Sequence, residues 1–221
     1  MAYLDIKQIK QELVVFVRNQ DIFTTTQRAV TTTSATGTFS ADSDLVIDVT
    51  NIKNIRSVTV GGVLLSFGSD YQVDYMYLDT TIKCKITFTV AQTGAYTIPY
   101  DYGADKIFPD FPKTKLSISS FPRIAVDIIS MQTSPGGFGN VYQSIFTFTV
   151  VVYDKTISDL TDYITKIRTV FIENRTSFYY MNSLVNPLSL GPLITMPLEK
   201  GKDKIMQQNI DFESVFNYEK N

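Results

Sequence analysis

The sequence has no histidine, no tryptophan and a single cysteine, Cys84. Without histidine there is no Ser-His-Asp triad, no Cys-His pair, no Cys/His zinc finger and no haem held by imidazole. One cysteine cannot make an intrachain disulfide framework. Long apolar runs are also missing: no stretch of 18 apolar residues is present, which excludes a spanning helix and gives no reason to expect a membrane partner. From Met1 the chain goes straight into a periodic pattern with Lys7, Lys10 and Glu12, so no apolar signal core is expected and synthesis in the cytoplasm is. An excess of either charge is lacking too. The 20 basic and 22 acidic side chains leave a formal charge of -2, with no global pull towards a nucleic-acid backbone.

What remains is material for a folded, largely β protein. The 221 residues suit one large domain or two small ones. The 13 Tyr and 15 Phe, with abundant Thr and Val, fit pleated surfaces or interface anchors.

Ile6, Ile9, Leu13, Phe16 and Val17 recur at helical steps and predict a first helix, with Asp5 and Gln8 as a capping box. One apolar stripe of that length needs a sheet or a partner to lie on. Thr24 to Ser43 is too polar for a continuous core strand; its β-branched run permits an edge strand or an extended arm, and a surface excursion is the preferred expectation. Between Asp44 and Tyr102, short alternating runs are punctuated by turn residues. Gly61-Gly62 supplies the positive φ angles of a tight hairpin, and Thr93-Gly94 is a second expected turn. Pro99 argues for an edge position or a bulge. These runs read as a small sandwich inserted into a parent domain.

Pro109 and Pro112 predict an extended, stiff passage from Gly103 to Lys115. Tyr100 through Pro112 carries an aromatic every few residues, either to tie the insert to its parent or to display anchors to a neighbour. Val141 to Tyr153 is apolar on both alternating faces and predicts a central strand. Ile157, Leu160, Ile164, Ile167, Val170 and Phe171 predict a second helix, capped by Thr156 or Ser158. Pro187, Pro192 and Pro197 should interrupt regular structure, and Ile210, Phe212 and Phe216 mark a last strand. The expected fold is α+β: an antiparallel or mixed sheet with two helices, formed by residues 1–43 and 103–221, carrying a β-sandwich-like domain at 44–102.

Carboxylates are the main catalytic material left. Asp101, Asp105, Asp110 and Asp127 lie close in sequence, and Asp211 with Glu213 share a strand face, which suits a hard cation or an acid/base pair. Solvation or turn termination accounts for most such residues, and no EF-hand spacing occurs. Ser134 to Asn140 superficially resembles a phosphate loop, but it lacks the Lys-Ser/Thr ending and precedes a strand, so it reads as a hairpin tip. Lys113, Lys115 and Arg123, and Lys200, Lys202 and Lys204, are too dispersed for a nucleic-acid signature; a small patch repeated around a ring would still face passing DNA. Asn174-Arg175-Thr176 matches a glycosylation acceptor that stays silent without a secretory signal. No catalytic, cofactor-binding or metal-ligating residue is assigned from these patterns, and no cofactor is expected.

Gly61 to Tyr75, followed by Ile86-Thr87-Phe88-Thr89 and Gly94 to Ile98, resembles small β modules that recur in structural proteins of tailed bacterial and archaeal viruses. The flanking order of helix, sheet, long strand, helix and closing strand resembles the tail-terminator and tail-completion family of those viruses. The β insert departs from the smallest members of that family. The resemblance implies a non-enzymatic virion protein: a homomeric ring, usually sixfold, at the junction of tail tube and neck. Such a ring caps the tube and docks the head connector. A baseplate or capsid-decoration adaptor is the alternative, and a carboxylate-dependent glycan hydrolase a more distant one.

Overall fold

The computed structural model describes residues 6–75, 84–109, 121–135, 141–179, 185–197 and 204–219. The fold is α+β, with one antiparallel and one mixed sheet. The chain divides into two compact units, Met1–Phe23 with Lys106–Asn221, and Thr24–Asp105.

In the first unit, helix α1 (Ile6–Asn19) presents Ile9, Leu13 and Val17 to the core. The sequence-based cap at Asp5 lies outside the described residues. In the notation of the whole chain, this unit's strands are β7 (Ile107–Phe108), β8 (Arg123–Pro135), β9 (Val141–Asp154), β10 (Val185–Leu190), β11 (Ile194–Pro197) and β12 (Lys204–Glu219). Their order is β10-β12-β9-β8-β7, with β11 also on β12. Only β7 and β8 run parallel, through Ile107 with Ile124 and Phe108 with Ala125.

Strand β9 is central, between β8 and β12. Alternation sends Phe146, Phe148, Val150 and Val152 into one core with Ile124, Val126, Ile210 and Phe212. Helix α3 (Ile157–Glu173) closes the same core with Leu160, Ile164, Ile167 and Phe171. Each fully buried large side chain contributes about 1.5–3 kcal/mol. The opposite face of β9 holds a smaller cluster of Val151 and Tyr153 with Ala125 and Ile205.

Two local expectations are corrected here. The Thr156 side chain does not cap α3. The Asp154 carboxylate instead accepts the backbone N–H groups of Lys155 and Thr156, ordering the turn that leads into the helix. Of the prolines after residue 184, Pro192 lies in the break between β10 and β11 and Pro197 ends β11, as expected, but Pro187 lies within β10, at a register shift. Both strands hang on β12 at the rim of the sheet, where a missing N–H is tolerated.

The second unit opens with a one-turn helix, α2 (Thr25–Arg28), and continues through β1 (Val30–Ile47), β2 (Ile52–Ile55), β3 (Val58–Val60), β4 (Val63–Leu65), β5 (Tyr71–Asp74) and β6 (Cys84–Gly103). Here the preferred surface excursion at 24–43 gives way to the alternative, an edge strand. Strand β1 pairs with β6 from Val30–Gly103 to Ile47–Cys84, so the β unit begins at Thr24, not at 44. Its polar side chains are those of a strand that keeps most of its length exposed. The expected turn at Thr93-Gly94 is also absent. Gly94 adopts φ 110 within one continuous strand, opposite Phe39 and beside the register shifts of β1.

Strand β6 is the hub of this sheet. One side follows β1, while the other meets β5, β3 and β2 in turn. Pro99 is therefore not on an edge strand. Its carbonyl accepts from Arg56 N in the gap between β2 and β3, and its missing N–H falls in the same gap. Gly61 and Gly62, at φ 57 and 81, make the tight hairpin between β3 and β4.

Candidate functional site: a buried ion network and exposed strand ends

The densest group of charged side chains lies in the β unit. Thr24 caps α2 by accepting Gln27 N, and the Gln27 side chain accepts Thr24 N in return. Ala29 ends the turn in the left-handed region at φ 57. This single turn directs Arg28 into the interior, where its side chain is only 1% exposed. Its guanidinium forks onto Asp105, with Nε at 3.1 Å from Oδ1 and Nη2 at 3.0 Å from Oδ2. Nη1 reaches Asp101 Oδ2 at 2.7 Å. The other Asp101 oxygen accepts Arg56 Nε at 2.8 Å and Thr32 Oγ1 at 2.7 Å.

Burial pulls the Asp101 carboxyl upward, but the hydrogen bonds from Arg56 and Thr32 and the charge of Arg28 outweigh it. They hold Asp101 below the ordinary carboxylate range. Burial likewise pulls Arg28 down, and the bond and charge of Asp105, with Asp101, raise it above its usual value. Two guanidinium groups and two carboxylates cancel. The four form a closed structural set: Asp101 is too strongly held ionised to act as a general acid, and the pair offers no net negative charge to a hard cation.

The remaining candidate carboxylates do not converge. Asp127, on β8, accepts Lys10 Nζ from α1 at 2.7 Å. Asp211, on β12, accepts Asn209 Nδ2 at 3.0 Å and Ser189 Oγ at 3.2 Å. Glu213 shares its side of β12, opposite Thr147 of β9. Asp110 lies outside the described residues. Among the described residues no group of three or more His, Cys, Asp or Glu side chains is placed to hold a metal ion, and no helix among them is long and apolar enough to cross a membrane.

Of the basic candidates, Arg123 is half-buried with its guanidinium 3.8 Å above the Phe108 ring, a packing role. Lys204 is exposed at the start of β12. Lys113, Lys115, Lys200 and Lys202 fall outside the described residues, as do positions 136–140 of the glycine-rich tip; Ser134 and Pro135 belong to β8. Asn174 ends α3, its Nδ2 donating to Val170 O at 2.9 Å. In the aromatic segment, Tyr100 and Ile107 are buried and Phe108 lies under Arg123; Phe111 and Pro112 are outside the described residues.

Apolar side chains are left on the surface of several elements, Val90 of β6 the most exposed among them at 69%. On β4, Val63 and Leu64 are 63% and 67% exposed, and as neighbours they point to opposite faces, so this short strand offers hydrocarbon on both. Ile129 and Met131 are exposed on β8, in a run from Ile129 to Pro135 that is exposed residue by residue and carries no charge. Leu190, Leu193 and Ile194 are exposed at the β10–β11 connection.

Sequence reasoning missed Arg28 and Arg56. The signal for the first was present: Thr24-x-x-Gln27 is a capping-box spacing, and it marks a helical turn inside a run read as merely polar. Arg56 had no comparable signal. No protein-family model matches this sequence, and no curated protein matches it.

Proposed function

We propose that this chain is a structural virion protein, a tail terminator or neck component. It assembles into a homomeric ring, caps the tail tube and joins it to the head connector. The observation that carries the reading is where the chemistry and the hydrocarbon lie. Asp101, Asp105 and Asp127 are engaged by Arg or Lys side chains within the fold. Exposed apolar side chains sit instead on the surface, among them Val63 and Leu64 of β4, Val90 of β6, Ile129 and Met131 of β8, and Leu190, Leu193 and Ile194 around the β10–β11 connection. Surface hydrocarbon of that kind is suited to mating with another protein surface. The placement in a tail or neck rests on the resemblance in element order, and the sixfold ring on the same ground.

In this reading the mixed sheet with α1 and α3 is the ring-forming body, and the β unit is a small sandwich-like insert. The three successive partners along one side of β6 favour that closure, because a 20-residue strand serving three short ones has to bend between them. Subunit contacts are heterologous and close by rotation, and the two axial faces take different partners, tube on one and connector on the other. Function is binding and geometric termination, with no bond chemistry.

Cryo-electron microscopy of assembled particles tests the location. Density for this chain at the tail end or neck is expected, and density elsewhere overturns it. The baseplate or capsid-decoration adaptor is favoured by one feature, the β3–β4 hairpin with both Val63 and Leu64 exposed on the β unit. A ring of isolated subunits supports termination; a monomer or trimer supports the adaptor. Glycan hydrolysis draws no support from Asp101 and Asp105, whose oxygens face Arg28 and Arg56.

A further inference from the structure

We infer that Arg28 is a clamp that closes the β unit on itself, making it a separately cooperative cassette within the chain. The chain passes between its two compact units twice, after Phe23 and after Asp105. Arg28 lies just past the first crossing, and its fork grips the last residue before the second, 77 positions away. The surrounding backbone repeats the closure. Ala104 N donates to Ala29 O at 3.1 Å, and Val30 pairs with Gly103. Gly103 is needed at this contact: at φ 133, a Cβ there would stand 2.7 Å from Ala29 O.

Both ends of the unit are thus bonded to each other by groups the unit itself owns. Closing a loop of that length is entropically costly, and the bidentate pair offsets the cost at the point where the loop shuts. Asp101 extends the clamp to Thr32 on β1 and to Arg56 beyond β2, so the ion network spans the incoming and outgoing segments and the middle of the sheet. A region whose ends are locked together by its own residues opens as a block, whatever the rest of the chain does.

Native-state hydrogen exchange of the full chain tests this. In Arg28→Met, which takes the shared guanidinium away from two buried carboxylates, the amides of β1, β5 and β6 should lose protection together, by roughly 100- to 1000-fold. Those of α1, α3 and β9 should keep theirs. Complete loss of protection in the β unit, with the first unit intact, is the same result at its limit. Arg28→Lys keeps the charge but not the fork, and Asp105→Asn keeps the shape but not the charge; each should give a smaller loss confined to the same block. These two read the clamp if Arg28→Met does not accumulate. Protection falling equally in both units, or unchanged in β1 and β6 for all three variants, overturns the inference.

Discussion

Phe171 is the side chain on which the helix-covered core depends most heavily. It is fully buried on α3, with ring centroids at 4.4 Å to Phe212, 4.9 Å to Phe16, 5.5 Å to Phe148 and 5.9 Å to Phe178. It therefore touches α1, β9, β12 and the segment after α3 at once. Truncation to alanine removes about 2 kcal/mol of transfer free energy. The unfilled cavity and the lost ring contacts add about as much again. The expected loss is about 4 kcal/mol, against a total of about 5–15 kcal/mol for a typical domain. Phe171→Leu fills most of the volume and should cost only about 1–1.5 kcal/mol. Urea unfolding followed by far-UV circular dichroism and tyrosine emission measures both, tyrosine being the fluorophore because tryptophan is absent. The midpoint for Phe171→Ala should fall with little change in slope. As a control, Val63→Ser on the exposed hairpin should lie within about 0.5 kcal/mol of the parent. A loss below about 1 kcal/mol for Phe171→Ala, or equal losses for the Ala and Leu variants, would refute the claim that α3 seals the sheet through this ring.

Two further outcomes concern titrating groups in the β unit. Asp101 is held below its ordinary value of 3.8, so its ionised form stabilises the fold above that pH; the contribution is lost progressively as the pH drops below it. Acid titration by circular dichroism should show the β unit weakening from about pH 4 downward. Arg56→Met should shift that weakening to higher pH, and an unchanged acid limb would contradict the assigned network. Cys84 is buried, and burial first, with the Asp74 charge second, pushes its thiol up to about 12. Iodoacetamide at pH 8 should therefore label Cys84 in the native protein far more slowly than in urea, as measured by intact mass; equal rates would place Cys84 at the surface.

Much of the α+β unit was legible because its signals are local and periodic. Ile9, Leu13 and Val17 mark one side of α1, and Phe146 to Val152 alternate into the core of a central strand; nothing tertiary overrides either pattern. Strand β1 was legible only as an alternative, for the opposite reason. Its Thr-rich half contributes little to a core, and it is a strand because β6 runs beside it for its whole length, a pairing no short window contains. Gly94 and Pro99 look like breakers, yet both lie inside β6: one is beside a register shift, the other in a gap between partners. The carboxylates show the same limit at the candidate site. Asp101 and Asp105 stood out only as two of four carboxylates close in sequence, and their meaning depends on Arg28, whose place in the interior is set by one capped turn far back in the chain.

On the proposed reading, the subunit joins copies of itself. Sedimentation velocity on the purified chain, over a concentration series and at two salt strengths, measures that directly. One closed homomeric species, six subunits on the terminator reading, should persist on dilution, and serine at Leu64, Ile129 and Leu190 in turn should show which exposed apolar site carries the joint. A chain that sediments as a monomer at every concentration, with none of these substitutions changing its behaviour, would contradict it.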